Sequence, residues 1–438
     1  MRRGEFGACV TTALTAAACA LTLAATARPA PARPNLVIQG YYPDQVPSWS
    51  SDSRRIAFVR GAIDLAWLAV IDRGAGQPRR VAAGRSWLLW SPDGSRMAIL
   101  NGLTVWLANG DGSQPKRVGN GSSADWSPDG RLLALDLGGR LHVVKRDGSG
   151  LRRLPIDVPT CPTCRSAEGH PAWSPNGHTL AFVHEEAEPA TKGSAAVWVA
   201  DVDGQNLRRL SETFNAEDPE WSPDGTKVAY LLYDGFSDYS YLHVIDADGS
   251  HDRRYRLTGN FSWAPRGNLL AYDSLGRKHV YIVRAGRAGV VGLKAGASPS
   301  WAPDGRRLTF QRRGLVYIAD AVGRGQRRLV RGTRPSWSAN GRLIAYAGTK
   351  CGPHQGIHLI NPAGTQRRRV TNFCFIVGSP ANDRIRGTVG NDRIIAAAGN
   401  DRIWVRDDRR DVVNCGAGLD RVIADRLDRL TGCEDVER

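Results

Sequence analysis

The residues best suited to chemistry are aspartates that recur at a nearly fixed spacing near the end of the chain. In residues 377–438 an aspartate stands every nine or ten positions, and an aliphatic residue follows two positions later each time. Carboxylate oxygens are the ligands that hard divalent cations such as calcium prefer. The aspartates are Asp383, Asp392, Asp401, Asp411 and Asp420, and the aliphatics are Ile385, Ile394, Ile403, Val413 and Val422.

This series resembles the calcium-binding nonapeptide of RTX β-rolls, Gly-Gly-x-Gly-x-Asp-x-U-x. The resemblance implies half a coil turn per repeat, with the aliphatic in a thin core and the aspartate facing a cation between turns. Asp383 should then stack near Asp401 and Asp420, and Asp392 near Asp411. The chain departs from the pattern where Ala396-Ala397-Ala398 replaces a glycine pair, so a coil that folds without metal is the alternative. The candidate calcium ligands are Asp383, Asp392, Asp401 and Asp420, with Asn391 and Asn400 beside them.

Other reactive constellations are missing from the sequence. No Gly-x-Ser-x-Gly nucleophile elbow occurs. His184-Glu185-Glu186 lacks the second histidine of a zincin helix, and Asp201-Val202-Asp203-Gly204 lacks the later residues of an EF-hand. His170, His178 and His184 fall close together, but lone histidines on strands and loops are more often structural. We therefore predict no catalytic residue.

Residues 1–32 are predicted to be a secretory signal peptide. Arg2-Arg3 form a charged start, residues 8–27 are apolar, and Ala25-Thr26-Ala27 fits a small-x-small cleavage site. No other run is long enough to cross a membrane, so we expect no transmembrane anchor after cleavage.

Export changes the interpretation of the cysteines. Six of the eight cysteines lie outside the leader, and an even number in an oxidising compartment favours disulfides. Cys161-Pro162-Thr163-Cys164 could also be half of a zinc site, but no second pair lies near it. The predicted bonds are Cys161–Cys164, Cys351–Cys374 and Cys415–Cys433.

The element that organises the chain is a tryptophan, followed by a Ser-Pro-Asp-Gly turn and a short apolar strand. Pro, Asp and Gly each favour a turn, and the tryptophan is a large apolar anchor for sheet packing. Two more strands complete each copy, and the fourth is marked by a basic pair. The copies begin 36 to 48 residues apart, at Trp49, Trp90, Trp126, Trp173, Trp221, Trp263, Trp301 and Trp337. We expect each of these tryptophans to be largely buried.

Four short strands in a repeat of this length are typical of a propeller blade. The copies resemble the PD40 (WD40-like) repeat of the TolB-type β-propellers over residues 35–376. The predicted fold is all-β, with about eight four-stranded blades and a short C-terminal parallel β-roll-like segment; six or seven blades is the alternative. We expect Leu36-Val37-Ile38 to add a strand that closes the ring.

The resemblance implies a periplasmic or secreted interaction scaffold. Similar propellers also precede serine peptidase domains and form some polysaccharide lyases. Three long loops, Thr160–His170, Glu185–Ser194 and Tyr233–Tyr241, are the predicted partner face, because binding residues concentrate on loops held by a rigid scaffold. Plain loop variation is the alternative.

The formal charge of +16 could indicate a nucleic-acid or anionic-surface binder. The basic pairs recur once per repeat and do not cluster, so we expect no nucleic-acid partner.

Two functions remain open from the sequence. The first is a monomeric extracytoplasmic scaffold that binds an extracellular or envelope protein or a glycan. The second is a lyase or glycan hydrolase with its site in the propeller funnel, where hydrolysis would need two converging carboxylates. Converging His, Arg and carboxylate side chains would favour the enzyme, and Trp with small residues would favour the scaffold, to which we assign the chain.

Overall fold

The computed structural model describes most of the chain beyond residue 39. The ranges are 40–43, 45–61, 66–74, 77–83, 86–160, 165–187, 194–211, 215–233, 240–258, 260–274, 279–287, 290–293, 295–348, 356–371 and 373–438. The predicted leader, Leu36-Val37-Ile38, Cys161, Cys164 and Cys351 lie outside these residues. Every regular element within them is a strand, and no helix of membrane-spanning length and apolarity is found there.

Strand β1 lies before the repeats, and the first four blades follow it in chain order. The strands are β1 (Gly40–Pro43), β2 (Gln45–Trp49), β3 (Arg55–Arg60), β4 (Trp67–Asp72), β5 (Arg79–Ala83), β6 (Trp87–Trp90), β7 (Arg96–Asn101), β8 (Thr104–Asn109), β9 (Lys116–Asn120), β10 (Ala124–Trp126), β11 (Leu132–Leu137), β12 (Arg140–Lys145), β13 (Arg152–Arg153), β14 (Arg165–Trp173), β15 (Thr179–Ala187), β16 (Ser194–Asp201) and β17 (Arg208–Arg209).

Blades 5 to 8 repeat the pattern. Their strands are β18 (Ala216–Trp221), β19 (Lys227–Tyr233), β20 (Ser240–Asp246), β21 (Arg253–Thr258), β22 (Asn260–Trp263), β23 (Leu269–Ser274), β24 (His279–Arg284), β25 (Val290–Leu293), β26 (Ala297–Trp301), β27 (Arg307–Arg312), β28 (Leu315–Asp320), β29 (Arg327–Arg331), β30 (Thr333–Trp337), β31 (Ile344–Ala347), β32 (Ile357–Ile360) and β33 (Arg367–Arg369).

These strands form eight antiparallel sheets, each made of four consecutive strands. The prediction of eight blades is confirmed. The first strands of neighbouring blades contact one another, as in β10 with β14, β14 with β18 and β2 with β30. First strands are thus innermost and surround the central channel that this architecture leaves.

Each tryptophan that begins a repeat ends the first strand of its blade and packs toward the preceding blade. Trp126, for example, packs with Leu100 and Leu107 of blade 2 and with Leu133 of its own blade. Six of the eight are buried, whereas Trp90 and Trp221 are partly exposed.

The indole N–H groups link the blades in sequence around the ring. Six of them donate to the carbonyl oxygen that precedes the tryptophan of the blade before, at 3.0 to 3.3 Å. One of these bonds, Trp49 Nε1 to Ser336 O at 3.2 Å, joins blade 1 to blade 8. The ring is therefore closed by side chains and packing, and every described blade strand stays in its own sheet.

In six of the eight blades, two side chains build the turn after the tryptophan. In blade 5, Ser222 Oγ donates to Asp224 Oδ1 at 2.6 Å and accepts the Lys227 N–H at 3.0 Å. Gly225 has a φ of 70° there, which favours glycine. The Ser-Pro-Asp-Gly motif is thus a self-bonded turn, as its residue types predict.

The basic pairs have a structural role between blades. In four blades a base of this pair donates to carbonyl oxygens in the outer turn of the next blade, so these four charges are distributed around the ring. The bonds are Lys116 to Gly148 O (2.8 Å), Arg208 to Ala247 O, Arg327 to Pro362 O and Ala363 O (3.2 Å for the latter), and Arg368 to Arg73 O and Gly74 O (3.3 Å for the latter).

The last part of the chain is a parallel β-solenoid with two sheets. One sheet has the order β1, β34 (Cys374–Val377), β36 (Asp392–Ile395), β38 (Val412–Asn414) and β40 (Arg429–Thr431). The other consists of β35 (Arg384–Arg386), β37 (Arg402–Trp404), β39 (Arg421–Ile423) and β41 (Asp435–Glu437).

Strands two repeats apart pair in parallel, as the nine-residue period predicts. Ile376 lies beside Ile394 and then Val413, and Ile385 lies beside Ile403. These aliphatics are fully buried and form the thin core together with Cys415, which is disulfide-bonded to Cys433.

The chain before blade 1 belongs to this solenoid. Strand β1 pairs antiparallel with β34, and this pairing covers the first edge of the solenoid sheet. Phe373, just before β34, packs edge-on against Trp67 of blade 1 at 6.0 Å, and Arg60 lies 4.2 Å from its ring centroid. Cys374 is disulfide-bonded, and Cys351, its predicted partner, lies outside the described residues.

Replacing Trp126 with Ala should cost about 3–5 kcal/mol, because the site is buried between two blades. Trp126→Phe keeps most of the packing but loses the indole bond, and should cost about 1 kcal/mol. Trp221→Ala should cost less than Trp126→Ala, since Trp221 is half-buried. Urea denaturation followed by circular dichroism measures all three. A loss below about 1 kcal/mol for Trp126→Ala would contradict the anchor role.

Candidate functional site

The first strands place two carboxylates at equivalent positions around the channel. The residue just before the blade tryptophan is Ser in four blades, but it is Asp125 in blade 3 and Glu220 in blade 5. Blade 4 has the small Ala172 between them. Asp125 Oδ2 accepts the Trp173 N–H at 2.8 Å, so this carboxylate reaches across to blade 4.

A second pair of charged side chains lies two residues earlier in blades 4 and 5. His170 and Asp218 each precede a proline, interrupt the strand pairing as a bulge, and have positive φ values of 51° and 48°. Non-glycine residues rarely adopt this conformation, and such strain often occurs at binding sites. His170 Nδ1 lies 2.7 Å from Asp218 Oδ1.

The strained position recurs in other blades with different chemistry. Val46, Ser298 and Arg334 occupy it with φ values of 53°, 53° and 50°, each again before a proline. The bulge is therefore a repeated feature of the ring, and the type of side chain at the bulge differs from blade to blade. Only on blades 4 and 5 does it carry a histidine–aspartate pair.

We name Asp125, His170, Glu217, Asp218 and Glu220 the channel recess. Burial, followed by the negative charges of Asp125 and Asp218, raises the pKa of Glu220 to about 8. Burial also raises the pKa of Asp125 to about 7. The Glu220 side chain is nevertheless exposed, as expected for a group that contacts water in a channel surrounded by protein.

The pKa values of His170 and Asp218 shift in opposite directions. Burial alone would lower the pKa of His170, but the hydrogen bond and charge of Asp218 outweigh it and raise that pKa. Burial would raise the pKa of Asp218, and the bond to His170 overcomes it and lowers the pKa. Burial and Asp218 raise the pKa of Glu217. The recess is therefore a crowded acidic site in a chain with a charge of +16.

A buried polar cluster lies where β14 pairs with the last residues of β15 in blade 4. Arg140 forms an ion pair with Glu168, which is only 2% exposed. His184 is 4% exposed, and its ring nitrogens lie 3.6 Å from Glu168 Oε1 and 3.7 Å from Glu186 Oε1. The sequence interpretation of His184 as a structural residue agrees with this packing.

The three predicted partner loops are shorter than the sequence suggests. Arg165–His170, Glu185–Ala187, Tyr233 and Ser240–Tyr241 belong to strands, and the connecting residues lie outside the described ranges. The two longest strands, β14 and β15, have nine residues each and extend blade 4. The described strand ends that flank these connections lie on the face of the ring where first strands begin.

The aspartates of the solenoid are buried and stacked in two ladders. The Asp383 N–H donates to Asp401 Oδ1 at 2.7 Å, and the Asp401 N–H donates to Asp420 Oδ1 at 2.8 Å. On the other side the Asp392 N–H donates to Asp411 Oδ1 at 2.7 Å. Asp401, Asp411 and Asp420 thus each accept a backbone N–H bond from the preceding coil.

The second carboxylate oxygen distinguishes the coils. In Asp383 this oxygen, Oδ2, accepts the backbone N–H and the hydroxyl of Ser379, four residues earlier. In Asp392 it accepts the backbone N–H of Thr388, whose hydroxyl donates to Oδ1. The corresponding residues of the later coils offer no hydroxyl, and Oδ2 of Asp401, Asp411 and Asp420 is buried without a hydrogen-bond partner. Burial raises the pKa of both Asp392 and Asp401 to about 6.

The hydrogen bonding of these Oδ2 atoms indicates which aspartates could bind calcium. Asp401 and Asp420 each offer a buried, unpaired oxygen on one ladder, and such an oxygen is satisfied by a cation or a proton. Asp383 and Asp392 fit less well, because their oxygens are already hydrogen-bonded. Asn400 Oδ1 accepts the Leu419 N–H at 3.0 Å and is also occupied. Within the described chain no three Asp, Glu, His or Cys side chains form a ready cage, so carbonyl and water oxygens would complete the shell.

The sequence interpretation did not identify the channel recess. Its signal was visible: the position before the tryptophan is Ser in four copies, and Asp125 and Glu220 replace it with acids. His170 was considered, but its contact with Asp218 depends on the neighbouring blade and is not readable from the motif.

Two family models match the chain, one over the propeller and one over the solenoid. A family model described as the TolB beta propeller domain matches residues 31–262, slightly more than half of the chain. The chain belongs to the TolB β-propeller family. A second model, the RTX calcium-binding nonapeptide repeat in four copies, matches residues 377–412.

Individual relatives of this TolB-type propeller match over short stretches. Tol-Pal system protein TolB 1 of Novosphingobium aromaticivorans is 45% identical over 53 residues, 12% of this chain and 11% of the relative. Oligogalacturonide lyase of Pectobacterium atrosepticum is 32% identical over 93 residues, 20% of this chain and 24% of the relative. The chain therefore matches well under two thirds of either relative's length.

Among solved structures, Porphyromonas gingivalis dipeptidyl peptidase 4 is similar, with a TM-score of 0.51 and 11% identity. The match covers 76% of this chain and 60% of that one. At this identity the likeness concerns the fold alone.

The recess predicts a pH dependence of stability. The folded-state pKa of Glu220, about 8, lies above its ordinary value, so the folded state binds more protons than the unfolded state between about pH 4.5 and 8. Stability should therefore fall as pH rises through this window.

Glu220→Gln should flatten that fall. We expect its Tm to match the native chain near pH 5 and to exceed it at pH 8.5, with Asp203→Asn on an outer turn as the control. Parallel Tm curves for Glu220→Gln and the native chain would contradict the proposed crowding.

Proposed function

We propose that this TolB-type propeller is an extracytoplasmic binding scaffold whose channel recess accepts a cationic segment of a partner protein. The observation that carries the proposal is the gathering of Asp125 of blade 3 with Glu217, Asp218 and Glu220 of blade 5, on either side of blade 4. Asp125 and Asp218 raise the pKa of Glu220, and Asp218 raises that of Glu217. A positive charge placed beside these carboxylates would relieve their repulsion. The rigid ring holds them before a ligand arrives, which lowers the cost of binding.

The wider chain supports an extracytoplasmic setting. We propose that residues 1–32 are a cleaved leader, that 35–376 contain the propeller, and that 377–438 form the repeat tail, with β1 and β34 joining the two parts. The Cys415–Cys433 disulfide is consistent with an oxidising compartment. We also propose that the protein acts as a monomer, with Cys161–Cys164 and Cys351–Cys374 as further disulfides.

The tail is proposed to bind calcium through Asp401 and Asp420. Calcium would neutralise the two unpaired oxygens and join successive coils. Because it binds only the folded tail, calcium should raise the Tm of the full chain. Asp401→Asn should remove much of that rise, and an unchanged Tm of the native chain in calcium would exclude the role.

A glycan hydrolase remains the second candidate, because two interacting carboxylates and a histidine–aspartate pair meet in the recess. Such pairs can divide the roles of acid and base in glycoside hydrolysis. A lyase acting on uronic acid chains fits less well, since an acidic recess repels an anionic sugar. The acidic recess would attract, and not repel, a partner protein with exposed Lys or Arg.

The partner is tested by affinity capture with the mature chain from extracytoplasmic fractions of the source organism. We expect a salt-sensitive partner that is lost with Asp218→Asn/Glu220→Gln. The matched control, Asp203→Asn/Asp248→Asn, removes the same charge from outer turns and should retain it. Equal capture by both double variants would place binding elsewhere. Reducing-sugar release from neutral glycans that Asp125→Asn abolishes would favour the hydrolase.

A further inference from the structure

The solenoid sheet formed by β35, β37, β39 and β41 carries arginines in register on its outer face. Parallel pairing places Arg384 beside Arg402, and Arg402 beside Arg421. Each precedes a buried aliphatic, and side chains alternate between the faces of a strand, so all three arginines face outward and are exposed. Neighbouring strands lie about 4.8 Å apart, so the row holds one positive charge per strand spacing. We name Arg384, Arg402 and Arg421 the arginine ladder.

A second outward row lies beside the arginine ladder. Two positions later on the same strands stand Arg386, Trp404 and Ile423, which are also in register. Arg386 is exposed, and Trp404 and Ile423 are partly exposed. None of the six outward positions on β35, β37 and β39 holds a carboxylate. This face therefore combines four guanidinium groups with one aromatic ring.

Only one end of the arginine ladder is neutralised by the protein. The last strand, β41, places Asp435 beside Arg421, and Arg421 Nε lies 3.6 Å from Asp435 Oδ2. Arg421 Nη2 also donates to Glu437 Oε2 at 3.4 Å. Among the described residues, neither Arg384 nor Arg402 forms an ion pair or a side-chain hydrogen bond. Because like charges directly opposite on neighbouring strands are destabilising, these two arginines lack a negative partner.

We propose that the arginine ladder binds a linear acidic polysaccharide, a polymer of uronic acid sugars, outside the propeller channel. A guanidinium holds a carboxylate through two parallel N–H···O bonds. A polymer with carboxylates at short, regular intervals follows the ladder from strand to strand, which a single small anion cannot do. The Trp404 ring offers an apolar surface to the nonpolar face of a sugar. The coil holds the arginines in place before the ligand arrives, which lowers the cost of binding.

The side chains of this face favour a polysaccharide over other polyanions. Single-stranded nucleic acid stacks its successive bases on aromatic side chains, and the outward positions of β35, β37 and β39 offer only Trp404. A membrane surface is bound where apolar side chains enter the lipid, whereas the fully exposed outward residues here are all arginines. The inference is independent of the channel recess, which is acidic and would repel the same polymer.

The test measures binding of the full mature chain to short alginate oligomers, in which every sugar carries a carboxylate. Isothermal titration calorimetry gives the Kd at several salt concentrations, with neutral dextran oligomers as the uncharged comparison. The ladder variant is Arg384→Gln/Arg402→Gln. The matched control, Arg393→Gln/Arg429→Gln, removes the same charge from exposed positions on the other solenoid sheet.

We expect alginate binding that weakens as salt rises, because salt screens the attraction between exposed charges. The ladder variant should bind about tenfold more weakly or worse, because two charge-assisted contacts are lost. Its Tm should equal or exceed that of the native chain, since neighbouring positive charges no longer repel. The matched control should bind like the native chain. The recess variant Asp218→Asn/Glu220→Gln should also bind alginate normally, which separates this inference from the proposed partner binding.

Three results would overturn the inference. Equal weakening by the ladder variant and its matched control would show that alginate responds to the net charge of +16 and not to the ladder. Absence of salt-sensitive alginate binding by the native chain, or equal binding of dextran, would exclude the acidic polysaccharide. A single-stranded DNA oligonucleotide and phosphatidylglycerol vesicles probe the other polyanions. If either binds more tightly than alginate and is lost with the ladder variant, the ladder has a different occupant.

Discussion

The structure depends on one repeated contact, the indole N–H of a blade tryptophan bonded to the carbonyl just before the tryptophan of the preceding blade. A single bond of this type contributes only about 1 kcal/mol, yet it fixes the register of one first strand against the next. Trp49 and Ser336 form the same contact between blades 1 and 8, where the ring closes. Because the first strands line the channel, this contact also determines where Asp125, Glu220 and their neighbours stand.

In the tail, too, one repeated hydrogen bond joins successive units, but its acceptor is a carboxylate. There a backbone N–H donates to an aspartate carboxylate one coil away, so a charged group takes the place that the indole holds in the propeller. The coils can approach closely only where the side chain is absent: a Cβ on Gly416 would lie 1.5 Å from Ala397 O. The coils of the solenoid are thus joined through buried carboxylates, which require neutralisation, whereas the tryptophan contacts between blades join neutral groups.

Most of the fold could be predicted from the sequence, because each feature has a local cause. Trp-Ser-Pro-Asp-Gly specifies a strand end and a turn, and the nine-residue aspartate spacing specifies the coil. Contacts between distant segments could not be predicted. Nothing local in Gly40–Pro43 indicates that it pairs with Cys374–Val377, and the expected ring-closing strand at Leu36-Val37-Ile38 lies outside the described residues. The recess was hidden for the same reason, since His170 and Asp218 meet across two blades.

The most direct test of the proposed function asks whether the channel recess touches a positively charged partner. Zero-length carbodiimide coupling joins a carboxylate to an amine only where the two touch, and mass spectrometry then identifies the linked residues. The account predicts that the captured partner's lysines are joined to Glu217, Asp218 or Glu220 on the first strand of blade 5. Links confined to carboxylates of the outer turns or of the tail would contradict it.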